Sequence, residues 1–211
     1  MRRARPDGNI PLTQRSRAGR SAIASHLVRW GGLAGLVAGV MFVLAGILIL
    51  IAPPRGAVFS SFGDYLSEVI LVVAFALTLV AITGLHALQS GRYGRLGAAG
   101  SLITFIGYAL IVVVTAVSVL AGGQALYLVR LVGAAAVLIG SALLGATTVR
   151  ARVLPWWCGV LLIVGFPLGD VSNAIVAQGS EAIVFGIVWG AVGYALLTSS
   201  RAPDQQSVRV S

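Results

Sequence analysis

The stretch GFPLGDVSNAI, residues 165–175, places an acid, an amide and a proline inside an otherwise apolar run. Pro167 precedes Asp170 by three residues and Asn173 follows it by three, so the three side chains lie near one face of a helix. A proline inside a helix frees a backbone carbonyl and favours a bend. Because an ionised carboxyl at membrane depth is costly unless it is paired or solvated, this stretch is a candidate functional site.

A second charged residue lies at a similar depth in another apolar run. Arg130 is about five residues, or about 7 Å, inside the predicted outer end of its run, and Asp170 is about seven residues, or about 10 Å, inside its own. Pairing lowers the cost of both charges, so we predict an Arg130–Asp170 contact or one wet cavity that both side chains face. Glu68, Tyr127 and Gln124 would complete an outward-facing polar pocket.

Two interpretations of these residues remain open. In the first, Asp170 and its neighbours form a ligand or proton site, which irregular polar helices at membrane depth often do. In the second, Arg130 and Asp170 are a structural clasp that holds two helices in register, or Arg130 extends alone to the outer headgroups. Polar residues towards the inner side are sparse, and no continuous proton relay is evident.

Catalytic and metal chemistry find little support in the sequence. His86 lies near the inner end of its run, on the order of 15 Å from the depth of Asp170, which excludes a Ser/His/Asp triad between them. Neither His26 nor His86 has a companion at ligand spacing, and the lone Cys158 excludes a CxxC site. With no lysine, a standard Walker A loop is also excluded. We therefore expect no enzyme activity, no cofactor and no metal.

The elements that must position these side chains are membrane-spanning helices. Of the 211 residues, 58% are hydrophobic and 10% are charged, whereas about a quarter are charged in globular proteins. Runs of about 20 apolar residues span a bilayer core. Six such runs lie at about 30–52, 66–88, 97–121, 126–149, 155–177 and 181–199. The sequence therefore predicts an all-α, polytopic membrane protein, a bundle of six transmembrane helices.

The arginines predict how the helices are threaded. If the N-terminus is cytosolic, Arg55 alone lies in an outer loop, and the other arginines outside the spans are cytosolic, as the positive-inside rule favours. The predicted organisation is N-in/C-in, with Asp64 and Glu181 on the outer side. It comprises a basic cytosolic tail at 1–29 with an interfacial helix, the bundle at 30–199 and a short cytosolic tail at 200–211.

The basic surfaces and the glycines predict partners. Near an anionic leaflet each arginine contributes about 1 kcal/mol, so we expect contact with anionic lipid on the cytosolic side, and no nucleic acid despite a net charge of +9. The expected lipid contacts are Arg15, Arg17, Arg20, Arg29, Arg92 and Arg95.

Glycines spaced four residues apart allow close helix approach, either within the chain or in a homo-oligomer. They are Gly31, Gly35 and Gly39 in the first span and Gly186 and Gly190 in the sixth.

Two stretches carry a family resemblance. LVRWGGLAGLVAGV and LHALQSGRYGRLGAAGSL resemble uncharacterised small multi-span membrane proteins of high-GC bacteria, and basic residues that are all arginine agree with such a source. The resemblance implies no activity, and we expect a multi-pass protein of the bacterial cytoplasmic membrane. The polar pocket favours a ligand-binding or lipid-binding, sensing or accessory module. The alternative is a small transporter or proton-coupled carrier that acts as an oligomer, since six spans are few for one protomer.

Overall fold

Six long helices make up a computed structural model of the chain. Its backbone is described for residues 12–54, 56, 58–90 and 94–207, and its side chains for 25–54, 56, 58–90 and 94–200. The helices are α1 (Leu12–Ile51), α2 (Phe62–Gln89), α3 (Gly94–Ala121), α4 (Tyr127–Ala151), α5 (Trp156–Ile175) and α6 (Ser180–Ser207). Within the described ranges the sole β feature is an isolated bridge between Val58 and Gly123.

All six helices are long and apolar enough to cross a membrane, which confirms the predicted fold class. The helix ends differ from the predicted spans at the two termini. Helix α1 begins at Leu12 and continues without a break through residue 29, so a separate interfacial helix is not seen. No proline lies between Pro11 and Pro53, and nothing in that stretch forces the helix to end. Helix α6 likewise continues to Ser207, beyond the predicted end at 199.

The helices are arranged as a ring in chain order. Each helix packs on its neighbours in the sequence, and contact between α1 and α6 closes the ring. Loops 52–61, 122–126 and 176–179 lie on one side of the bundle, called here the hairpin side. The start of α1 and the end of α6 lie on the other, the terminal side, with Ser90 and residues 152–155.

The predicted glycine faces are used within the chain. A Cβ atom on Gly39 would lie 2.7 Å from both the Gly186 carbonyl oxygen and the Gly190 nitrogen, and one on Gly35 would lie 3.0 Å from Gly193 Cα, all on α6. Such short backbone distances require glycine, and they bring α1 and α6 into direct contact.

Gly31 faces α2 instead, where a Cβ would lie 2.6 Å from Gly84 Cα. These faces are therefore intramolecular seams, and a second copy could not occupy them in this arrangement.

Aromatic side chains from five helices contact one another across the ring. Trp189 and Tyr108 are 0% and 1% exposed, and the indole N–H of Trp189 donates a hydrogen bond to the Tyr108 hydroxyl at 2.9 Å. Phe166 and Phe185 are in ring contact at 4.9 Å, and Phe42 and Phe75 at 5.0 Å. This aromatic cluster consists of Phe42, Phe75, Tyr108, Phe166, Phe185 and Trp189.

The ring interior is also filled between the aromatic cluster and the terminal side. Leu85, Leu144 and Leu196, from three different helices, are fully buried. The Gln89 side-chain amide donates to the Thr148 hydroxyl at 2.9 Å, which joins α2 and α4 although these helices are not neighbours in the ring. Open space inside the bundle is therefore found towards the hairpin side.

Candidate functional site

The start of α2 is fixed by a capping box on the hairpin side. The Asp64 carboxylate accepts hydrogen bonds from the backbone N–H groups of Ser60 and Ser61, both at 2.9 Å. The Ser61 hydroxyl accepts the N–H of Asp64 at 3.2 Å in return. Asp64 is thus a structural residue that satisfies the first turn of the helix. One turn further along α2 lies Glu68, which lines the cavity behind this cap.

A cavity of about 610 Å³ opens on the hairpin side, and we call it the vestibule. Its wall includes residues of α1, α2, α4, α5 and α6 and of the three hairpin-side loops. The polar residues that line it are Glu68, Gln124, Tyr127, Arg130, Asn173, Gln178 and Glu181. The polar residues predicted for a pocket therefore line a cavity on the hairpin side.

A smaller cavity of about 100 Å³, the chamber, lies deeper in the bundle. Arg130 and Glu181 line both cavities, so the chamber and the vestibule meet at these two side chains. Asp170 lines the chamber but not the vestibule. The floor of the chamber belongs to the aromatic cluster and is formed by Phe75, Tyr108, Phe166 and Phe185.

Arg130 and Asp170 face one cavity without touching. Among the described residues no ion pair or hydrogen bond joins them, so of the two predicted arrangements the structure shows the shared cavity. The Arg130 charge acts instead on Glu68 and Glu181, which approach it from α2 and α6. A charge clasp between α4 and α5 is not present in this arrangement.

Four ionisable side chains at the site share one property. Within the described part of the chain, Glu68, Arg130, Asp170 and Glu181 form neither a hydrogen bond nor an ion pair with another residue. One carboxylate oxygen of Glu68, Oε2, is buried as well as unpartnered. Buried polar groups in proteins nearly always have a hydrogen-bond partner, so Glu68 Oε2 requires one, such as water or a ligand, whereas Arg130 and Glu181 are half-buried and Asp170 is exposed. They are not placed as metal ligands, because no group of three His, Cys, Asp or Glu that could hold an ion occurs among the described residues.

The other residues predicted for the pocket, Tyr127, Asn173 and Pro167, have different surroundings in the structure. Tyr127 lines the vestibule and is exposed. Asn173 also lines it, but its side-chain oxygen accepts the N–H of Gly179 at 3.1 Å and thereby holds the α5–α6 hairpin, where Gly179 has a φ of +91°. Pro167 is exposed on α5 and is not among the residues that line the vestibule or the chamber. Helix α5 continues through this proline without a break.

Sequence reasoning missed Glu181 and the aromatic floor. Glu181 was predicted to lie at the outer end of the sixth span and was not named for the pocket, whereas it lines both the vestibule and the chamber from the first turn of α6. A signal was present in the spacing, because Phe166 precedes Asp170 by four residues and Phe185 follows Glu181 by four. Residues four apart share a helical face, so each acid lies one turn from an aromatic ring.

The basic residues predicted to contact lipid are only partly described. Arg29 and Arg95 are exposed at the terminal side. The side chains of Arg15, Arg17 and Arg20 and the whole of Arg92 lie outside the described residues.

No protein-family model, no curated protein and no solved structure is detectably similar to this chain. Function must therefore be inferred from the vestibule and the chamber.

Proposed function

We propose that the protein is a binding module of a bacterial cytoplasmic membrane, with a sensing or accessory role, that receives a small ligand or a lipid headgroup in the vestibule and the chamber. The observation that carries this proposal is the set of four unpaired ionisable side chains, contributed by four different helices, around two adjoining cavities. A purely structural clasp would pair these charges, because ion pairing is what offsets their desolvation.

Its orientation in the membrane is part of the proposal. Arg29, Arg95, Arg150 and Arg152 belong to the terminal side, and this bias supports a cytosolic terminal side with both chain ends inside. The hairpin side, and with it the mouth of the vestibule, would then face outward. A ligand would enter from the extracytoplasmic space, and the terminal arginines would lie near anionic lipid headgroups.

An oligomeric transporter or proton-coupled carrier is the second candidate. It is favoured by the position of Asp170, an acid in the deeper of the two cavities. Transport would additionally require the aromatic cluster and the buried Gln89–Thr148 hydrogen bond to open, since both fill the path to the terminal side. The closed interior supports binding over transport.

A chamber-filling variant tests the proposal. Ala134 lines the chamber and its neighbour Ala135 is exposed and is not among the lining residues, so Ala134→Phe should block the site while Ala135→Phe serves as the matched control. Purified protein in phosphatidylglycerol nanodiscs would be titrated with choline, neutral 3,3-dimethylbutanol and anionic 3,3-dimethylbutyrate, and with nanodiscs containing phosphatidylcholine. At least one of these should raise the midpoint of thermal unfolding of the wild type and the control but not of Ala134→Phe.

Two results would change the conclusion. If no probe distinguishes the filled variant from its control, the cavities are architectural and the proposal fails. If choline is taken up by proteoliposomes, and folded Asp170→Asn protein has lost that uptake, the protein is a transporter.

A further inference from the structure

The charges around the chamber favour a cationic ligand. Three carboxylates, Glu68, Asp170 and Glu181, line the vestibule and the chamber, and Arg130 is the one basic residue among the lining side chains described for them. The site is therefore negative overall when the carboxylates are ionised. Arg130 lies near Glu68 and Glu181, which already offset its charge, whereas Asp170 has no basic residue acting on it among the described ones. The chamber is lined by two carboxylates, Asp170 and Glu181, and by Arg130, so a cation there would meet two opposite charges and one like charge, whereas an anion would meet the reverse.

The aromatic floor of the chamber also favours a cationic ligand. The rings of Phe75, Tyr108, Phe166 and Phe185 line it. The faces of aromatic rings attract cations, and cages of such rings recognise quaternary ammonium groups. An acid beside aromatic rings would supply both the neutralising charge and the apolar contact that an alkylated ammonium group requires.

The size of the chamber limits what enters it. A volume of about 100 Å³ corresponds to about three water molecules at roughly 30 Å³ each. A compact head such as a trimethylammonium group suits this space, whereas a large ring system does not. The rest of the ligand would lie in the larger vestibule, among amide, phenol and charged side chains.

We propose that the chamber binds an organic ammonium group, which Asp170 and Glu181 neutralise and the aromatic floor contacts. This inference rests on the proposed function and assigns the chemical class of its ligand. The ammonium group belongs either to a free cation from the aqueous side or to the headgroup of a lipid.

Three probes of matched shape and different charge test the assignment on the wild-type protein. Choline is the cation, 3,3-dimethylbutanol replaces its nitrogen by carbon and is neutral, and 3,3-dimethylbutyrate is an anion. In phosphatidylglycerol nanodiscs, calorimetry should give choline an affinity at least about tenfold higher than that of either other probe, as expected for a desolvated cation–aromatic contact. Higher affinity for the anion, or equal affinity for all three, would overturn the ammonium assignment while leaving a ligand-binding pocket in place. If none of the three probes binds and phosphatidylcholine in the nanodisc does not raise the midpoint of thermal unfolding, the assignment is overturned as well.

Substitutions in the chamber test whether choline binds there. Phe185→Leu removes a ring from the floor and should weaken choline binding about tenfold. The matched control is Phe105→Leu, at an aromatic residue that lines a separate groove between α2 and α3. Equal effects of the two substitutions would contradict the chamber as the site, and Asp170→Asn provides a second test because it removes the charge while keeping the shape.

Lipid composition separates the two sources of the ammonium group. If the natural source is a lipid, phosphatidylcholine in the nanodisc should compete with choline and lower its apparent affinity about tenfold or more. If the source is a free cation, exchanging phosphatidylcholine for an uncharged glycolipid at a constant fraction of phosphatidylglycerol, which keeps the surface charge the same, should leave the affinity of the chamber for choline within about twofold.

Discussion

At the residue scale, the hydrogen bond between Trp189 and Tyr108 separates the open part of the bundle from its filled part. Tyr108 lines the chamber, and its hydroxyl accepts the indole N–H of Trp189 at 2.9 Å while both side chains are almost completely buried. A buried indole N–H has no other acceptor in an apolar surrounding, so the tyrosine hydroxyl fixes the position of the tryptophan ring.

Removing that hydroxyl should destabilise the protein. Tyr108→Phe leaves the Trp189 N–H unsatisfied, and we expect the free energy of unfolding to fall by about 1–3 kcal/mol. Denaturant titration in mixed micelles measures this change. Trp156 is 68% exposed, so Trp156→Phe should have little effect. An unchanged stability in Tyr108→Phe would indicate that another acceptor reaches the indole.

At the scale of the helices, the main feature is how closely α1 and α6 approach each other. The seam between α1 and α6 is formed by glycine on both sides, so the two backbones are in direct contact and no side chain separates them. In lipid, where burying apolar surface gives no advantage, such close van der Waals contact is a main source of helix association. This seam also closes the ring, and the walls of the vestibule depend on it.

Two glycines of the same seam should respond differently to alanine. A Cβ on Gly39 would meet backbone atoms of α6 at 2.7 Å, which side-chain motion cannot relieve, whereas one on Gly190 would meet only Gly39 Cα at 4.0 Å. We expect Gly39→Ala to lower stability by about 1–3 kcal/mol and Gly190→Ala to leave it almost unchanged. Thermal unfolding of the two variants in the same nanodiscs makes the comparison, and equal losses would contradict the described register of α1 and α6.

At the scale of the whole molecule, the two ends of the ring differ. The hairpin side opens into the vestibule, while the interior near the terminal side is packed with leucines and the Gln89–Thr148 pair. A binding protein needs one accessible end, and this asymmetry agrees with the proposed function. It also makes orientation in the membrane decisive for where the ligand comes from.

Cysteine labelling tests that orientation. The chain has one cysteine, Cys158, which is fully buried, so a Cys158→Ala background can carry single exposed cysteines. In intact cells a membrane-impermeant maleimide should label Gln178→Cys on the hairpin side, and it should reach Ser90→Cys on the terminal side only after permeabilisation. The reverse pattern would place the vestibule in the cytosol and refute N-in/C-in threading.

The fold class could be predicted from the sequence because hydrocarbon leaves few alternatives. A chain with six long apolar runs must satisfy its backbone hydrogen bonds within helices, and the number and approximate ends of those helices follow from length and hydropathy. Six of the seven side chains named for the pocket, all but Pro167, line the vestibule or the chamber. The depth of a residue in the membrane follows from its position along its helix, and for this reason Arg130 and Asp170 were predicted to lie at a similar depth.

The partners of those side chains were decided only by the tertiary structure. Rotation of each helix and its neighbours in the ring determine which groups meet, and hydropathy contains neither quantity. Arg130 therefore lies near Glu68 and Glu181 as well as in the cavity it shares with Asp170, Asn173 holds a hairpin, and Pro167 lines neither cavity. The aromatic rings looked like ordinary apolar residues in the sequence, and four of them form the floor of a chamber because α2, α3, α5 and α6 bring them together.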